Sequence, residues 1–293
     1  MPVLLALAVA FSSAAAAPPP AQSSAANDRA IVIEGSRDPK RPANEYLDKI
    51  IPPSFDAELG RFEDPICPAT VGLPEQLKNE VVARIHAVAA AANVPIAGAT
   101  CTPNLMIIVI DDKKAMIEGM RRKKESYLYG VGSDRLAILE KEAGPVAAWQ
   151  ISDVIGADGM PLRVDGDGYP RLFTTLPPSQ MIKTTRRRVL GGVVIVEQRG
   201  LVGVTTRQLA DFALVKALSP MPVKDGPAPS SSVLSLFNPG ARPEDAPQTV
   251  TWWDLAFLKA LFDTRSDTLA DAQRHEIRDR MLKEMAKVPA DQR

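Results

Sequence analysis

The stretch that most constrains this chain is residues 188–218, RVLGGVVIVEQRGLVGVTTRQLADFALVKAL. Within it, residues 193–196 (Val-Val-Ile-Val) are all β-branched, a run that suits a buried strand and is too short for a helix. Gly200 and Gly203 punctuate the turn that follows. Thr205 or Thr206 can then cap a helix, because a threonine oxygen accepts a free first-turn N–H. Leu209, Phe212, Ala213 and Leu218 recur at helical spacing and give that helix an apolar face to lay on the sheet. Many enzymes place their chemistry where a strand feeds a helix in this way. Here the sequence offers no residue suited to it.

The remaining pattern predicts strands alternating with helices. Residues 61–67 read as a strand or extended entry, and a helix starts at Pro74, where a missing N–H costs nothing. Leu77, Val81, Ile85, Val88 and Ala92 line one face of that helix. Residues 105–110 (Leu-Met-Ile-Ile-Val-Ile) form a continuous apolar run, as expected of a central strand covered on both faces. A second helix runs to about Lys124, a third covers about 134–142, and a strand covers about 146–155. Residues 156–178 are dense in glycine, proline and aspartate, which predicts a long loop or a hairpin with glycine turns. Thr251 and Asp254 have capping-box spacing ahead of a helix carrying Leu255, Leu258, Leu261 and Phe262, and Thr268 with Asp271 repeats the spacing before the last helix. The fold class this implies is α+β, a mixed β-sheet packed by helices.

The N-terminus points to export. Residues 3–11 are nine apolar residues, far short of a membrane span, followed by small residues in an A-x-A-like arrangement. The expected organisation is a signal peptide at 1–17, a linker with short elements (31–33 as a strand, 43–51 as a helix) at 18–59, one domain at 60–288 and a tail at 289–293. The mature chain would be periplasmic or secreted, without a transmembrane span. Cys67 and Cys101 are the only cysteines, and each sits at the edge of an expected strand. In an oxidising compartment such a pair forms one disulfide.

Composition excludes several functions. Lys plus Arg equal Asp plus Glu at 35 each, and only 5% of residues are aromatic, so no field or stacking platform favours nucleic acid. The basic runs 121–124 and 186–188 lack interleaved aromatics and read as a solvated helix end and a loop. His86 and His275 are the only histidines, and neither has a ligand partner one turn away; no metal or cofactor is expected. Asp165 and Asp167 hint at calcium, but Tyr169 occupies the next ligand position and no glutamate closes the loop, which leaves a polar turn.

Residues 233–237 (Val-Leu-Ser-Leu-Phe) and 258–263 (Leu-Lys-Ala-Leu-Phe-Asp), placed after the strand and helix above, carry a family resemblance. From Val189 to Met281 the chain resembles a group of exported bacterial proteins of unknown function that are themselves similar to zincin metallopeptidases. The resemblance implies a zincin-like layered architecture. It also implies a metal-binding His-Glu or Glu-Glu motif on the helix, where this chain reads Thr206-Arg-Gln-Leu-Ala-Asp-Phe-Ala-Leu-Val215. A zincin without its ligands implies a non-catalytic envelope interaction or scaffold protein whose partner is another envelope protein. One rival is a hydrolase using Asp165, Asp167 and Asp211. Another is a small-ligand binder with a cleft at Arg207, Gln208 and Asp211.

Overall fold

A computed structural model describes residues 40–51, 59–123, 126–173, 183–221 and 226–288. The expected signal peptide at 1–17, the expected strand at 31–33, most of the expected linker and the tail from 289 lie outside the described residues.

The sheet is built around its longest strand, β7. In chain order the elements are α1 (Lys40–Ile50), β1 (Arg61–Phe62), β2 (Pro68–Val71), α2 (Glu75–Ala91), β3 (Leu105–Ile110), α3 (Lys113–Lys123), α4 (Ser133–Lys141), β4 (Val146–Gly156), β5 (Arg163–Val164), β6 (Pro170–Arg171), β7 (Thr185–Glu197), α5 (Thr206–Leu218), α6 (Trp252–Asp263) and α7 (Ala270–Ala286). β3 pairs parallel with β7, Leu105 opposite Gly192 through Ile110 opposite Glu197. β1 pairs parallel with the start of β7, and β2 lies parallel to β3 on its far side. β4 runs antiparallel along nearly all of β7, with a bulge where Leu190 has no partner opposite. The result is a five-stranded, parallel-dominated mixed sheet.

Both faces of the sheet are covered, as expected where β3 and residues 189–196 of β7 carry no polar side chain and do not alternate. Leu105, Ile107, Val109, Val194 and Val196 join one large cluster with residues of α1, α2, α5, α6 and α7. Ile108, Val193, Ile195 and Trp149 face the other way and pack with Ile117 of α3 and Leu139 of α4. The mixed sheet packed by helices is as the sequence implied. Strands alternate with helices that lie on both faces, so the class is mixed α/β rather than α+β.

Three local features differ from the sequence reading. The triple arginine 186–188, expected as a loop, belongs to β7, which therefore runs 13 residues. In the strand Arg186 pairs with Glu63, Arg187 donates to Ser152 Oγ at 2.8 Å and Arg188 lies 3.6 Å from Asp153, so tertiary partners override a polar-looking run. Thr268 does not cap α7: the helix begins one residue later with Leu269 at the cap position. α1 lies within the main core through Tyr46, Leu47 and Ile50, not ahead of it.

Cys67 and Cys101 form a disulfide with Cα atoms 6.0 Å apart. Asn104 ties the same corner together. Its Oδ1 accepts from Cys67 N at 2.7 Å, and its own carbonyl accepts from Gly192 N at 2.8 Å.

β4 is an edge strand, and its open side is blocked. Lys113 Nζ donates to Val146 O at 3.2 Å, and Arg135 Nη2 donates to Ala148 O at 3.1 Å. Gly130, at φ +74°, comes so close to Ser152 O that a Cβ would sit 2.5 Å from it. Side chains and a loop thus occupy the groups through which an exposed edge would recruit another strand.

Candidate functional site

In a doubly wound sheet, ligands sit beyond the carboxyl ends of adjacent parallel strands whose following helices cross to opposite faces. β3 and β7 make such a pair: α3 packs on one face of the sheet and α5 on the other. The free N–H groups of the helix that follows usually hold the ligand's anion. Here the chain's own carboxylate takes that place. Glu197, buried at the end of β7, accepts Lys113 N of α3 on Oε1 at 3.1 Å and Arg199 Nε on Oε2 at 2.7 Å. Asp112 Oδ1 accepts Ala115 N at 2.9 Å in the same turn. The Lys113 ammonium is buried too and donates to Glu142 O at 2.7 Å and Val146 O at 3.2 Å. Burial pushes it below the usual lysine range, against the opposing pull of Glu142 and Glu197. Sequence reasoning passed over Lys113, Glu197 and Arg199. The available signal was charge placed directly at the end of each of two apolar runs, residues 111–113 after β3 and Glu197 closing β7.

The helix expected to carry the cleft, α5, begins as its sequence dictates. Thr205 Oγ1 accepts Gln208 N at 3.1 Å and Gln208 Oε1 accepts Thr205 N at 3.1 Å, a capping box. Arg207 points to solvent. Gln208 and Asp211 point inward and are spent on the segment 243–250. Gln208 Nε2 donates to Pro243 O at 2.9 Å. Asp211, fully buried, accepts Arg84 Nε at 2.6 Å, Arg84 Nη2 at 2.8 Å, Thr249 Oγ1 at 2.8 Å and Val250 N at 2.7 Å. The hydrogen bond to Asp211 raises the Arg84 guanidinium above its ordinary range. A similar polar knot lies at the head of α6. Asp254 accepts Tyr46 Oη at 2.8 Å, Ser232 Oγ at 2.5 Å, Val233 N at 3.0 Å, Thr251 N at 3.0 Å and Thr251 Oγ1 at 2.9 Å. The short helix 233–237, one carrier of the family resemblance, is anchored by this carboxylate.

Asp165 and Asp167 lie in the excursion between β4 and β7, on the turn of the β5–β6 hairpin. Asp165 Oδ1 accepts Asp167 N at 3.0 Å and Tyr169 N at 3.1 Å, an Asx turn, and Arg171 pairs with its other oxygen. Gly168 closes the turn at φ +83°. Asp165, Asp167 and Asp211 are therefore not brought together as one set. Among the described residues no three His, Cys, Asp or Glu side chains gather as a metal site would need. His86 is half-buried on α2, and His275 is exposed on α7.

Among the described residues, the same excursion holds the densest exposure of large apolar side chains. Met160, Val164, Tyr169 and Phe173 are 57%, 68%, 69% and 64% exposed. Two-residue strands are too short to be stable alone. This pair is stiffened by the Asx turn and by Arg163, whose guanidinium lies 5.6 Å from the Phe173 ring centre, within cation–π range. Water-exposed apolar groups on a braced arm are what a protein-binding surface offers.

Compared with family models, curated proteins and solved structures, the chain matches none.

Proposed function

We propose that this is an exported, non-catalytic interaction protein of the bacterial envelope that docks a partner protein through the 157–173 arm. The observation that carries the reading is the exposure of Met160, Val164, Tyr169 and Phe173 on the one arm that the β5–β6 hairpin braces. Supporting it, Glu197 at the sheet's carboxyl end and Gln208 and Asp211 on α5 are bonded within the chain. The disulfide suits the oxidising compartment that the N-terminal sequence implies. We read the scaffold as zincin-like and degenerate. β7 feeds α5, the short helix 233–237 follows, and α6 ends in Leu-Phe-Asp, the order the resemblance calls for, with no histidine or glutamate on α5.

The test is a photoreactive phenylalanine analogue placed at Tyr169, at Phe173 and, as control, at exposed Arg207. In intact cells the arm positions should give one adduct of a single mass, identified by mass spectrometry. The purified partner should then bind the native chain and lose affinity for Tyr169→Ser/Phe173→Ser. Equal labelling at all three sites, or none at the arm, refutes the docking assignment. Sequencing the exported chain should find its N-terminus between Ala16 and Ala21; an intact Met1 in the cytosol refutes export.

A further inference from the structure

The docking arm presents apolar side chains on both of its faces, and that constrains the shape of what can cover it. In the β5–β6 ladder Arg163 stands opposite Arg171 and Val164 opposite Pro170. Successive side chains of a strand point to opposite faces, so the two pairs lie on opposite sides of the hairpin. Contacts assign the rest of the first face. The Arg163 guanidinium lies over the Phe173 ring, and Arg171 pairs with Asp165 across the turn. Tyr169, two residues before Arg171, falls on the same side. The opposite face carries Val164 and Pro170, with Leu172 on the same side at the root. Leu172 closes on the Gly156 turn, where an added Cβ would sit 3.2 Å from Leu172 Cδ1. Tyr169 and Phe173 are thus exposed on one side of the hairpin and Val164 on the other.

A flat partner buries one of these faces and leaves the other in water. We infer that the arm's partner is a second protein with a concave, apolar-lined groove that takes the hairpin between two walls, with a carboxylate on the wall that meets Tyr169 and Phe173. The inference rests on the docking reading above. Packed sheets lie about 10 Å apart, so each wall stands about that far from the plane of the hairpin. The tip is slender enough to enter. Gly168 donates to Asp165 O at 3.0 Å and Asp165 N to Tyr169 O at 3.1 Å, so Gly166, Asp167 and Gly168 alone reverse the chain. The carboxylate follows from the arginines. Arg171 is matched by Asp165, with Asp167 3.9 Å away. Arg163 forms no ion pair among the described residues, and residues 174–182, which follow Phe173, include no acid. Enclosure strips water from a guanidinium, and a charge so buried needs an opposite one. A carboxylate meets a guanidinium best, through two parallel N–H···O bonds.

The photoreactive analogue tests the groove when it is placed at Val164 and, in a second chain, at Tyr169. In intact cells both positions should label one protein. The labelled peptides of that protein should differ between the two, because they come from opposite walls. With the purified partner, Val164→Ser and Tyr169→Ser should each weaken binding by about tenfold at an unchanged Tm, the cost of one apolar side chain lost from the interface. Arg163→Gln should weaken it by about thirtyfold or more at low and high salt alike, because an enclosed pair is little screened. Labelling from Tyr169 alone leaves the docking reading standing and overturns the groove. So does a Val164→Ser variant that binds as the native chain does, or an adduct of two copies of this chain. An Arg163→Gln loss that disappears with salt overturns the enclosed carboxylate. Labelling from neither position removes the docking reading and the groove with it.

Discussion

Replacing Asp211 by alanine tests whether the segment 243–250 is latched to α5 as described. The carboxylate is fully buried and receives four hydrogen bonds, two of them from Arg84, whose side chain is 28% exposed. Truncation leaves the Val250 N–H and the Thr249 hydroxyl without their acceptor and the guanidinium without its counter-charge. Breaking a buried pair by removing one partner costs about 3–5 kcal/mol. For a domain of this size that is a Tm loss of roughly 6–20 °C. Asp211→Asn keeps an acceptor for Val250 and should cost roughly half as much, since charge-assisted bonds are about twice as strong as neutral ones. Urea unfolding of the single variants, Arg84→Ala and the double variant measures the coupling, expected at about 1.5 kcal/mol or more. Hydrogen exchange should show the Val250 amide losing protection before the amides of α5. A loss below about 1 kcal/mol for Asp211→Ala, or additivity with Arg84→Ala to within about 0.5 kcal/mol, would refute the latch.

Three further outcomes follow from the geometry. Gly72 sits at φ +84°, where a Cβ would lie 1.9 Å from Val109 O, so Gly72→Ala should lose at least about 2 kcal/mol in urea unfolding; a neutral variant would be inconsistent with the β2–β3 packing. Cys67→Ala/Cys101→Ala opens a loop of sequence separation 34 and should lose about 3–4 kcal/mol, while the unfolded native protein should show no titratable thiol; two thiols per chain would exclude the bridge. Burial raises the Asp254 carboxyl above its ordinary value, against opposing hydrogen bonds from Ser232, Val233, Thr251 and Tyr46, so the folded chain binds its proton at a higher pH than the unfolded chain does. Its contribution to stability therefore grows as pH falls through that window, opposite to Asp267, which Arg265 holds low; a carboxyl NMR titration placing Asp254 at or below Asp267 would contradict this.

The elements most legible in the sequence were those whose signal is local. β3 is one apolar run, and the heads of α5 and α6 carry their caps within four residues. The hairpin at 163–171 was visible as an alternative because aspartate and glycine specify its turn. What the sequence concealed was the direction of polar groups. Gln208 and Asp211 read as a possible cleft because a helix alone does not say what will lie over it. The partners that turn Asp211 inward, Arg84 and Thr249, stand 127 and 38 positions away. The Lys113–Glu197 contact joins residues 84 apart for the same reason. The arginines of β7 concealed a strand, since their acidic partners come from β4 and from the residue after β1.

The position of β7 has a consequence for how the molecule comes to exist. β1, β3 and β4 each bond to β7 and none of them to another of the three, so the hub of the sheet is its last strand to be synthesised. Of the central sheet, the residues before it can form only the β2–β3 pairing, and the parallel pairing of Leu105 with Gly192 must close a long loop before it returns any energy. High contact order of this kind makes folding slow. In a cell that threads the chain N-terminus first through a translocation pore, as the export proposal requires, slowness is an asset. Until residue 197 has emerged there is no hub for the sheet to form on, and the polypeptide stays thin enough to pass.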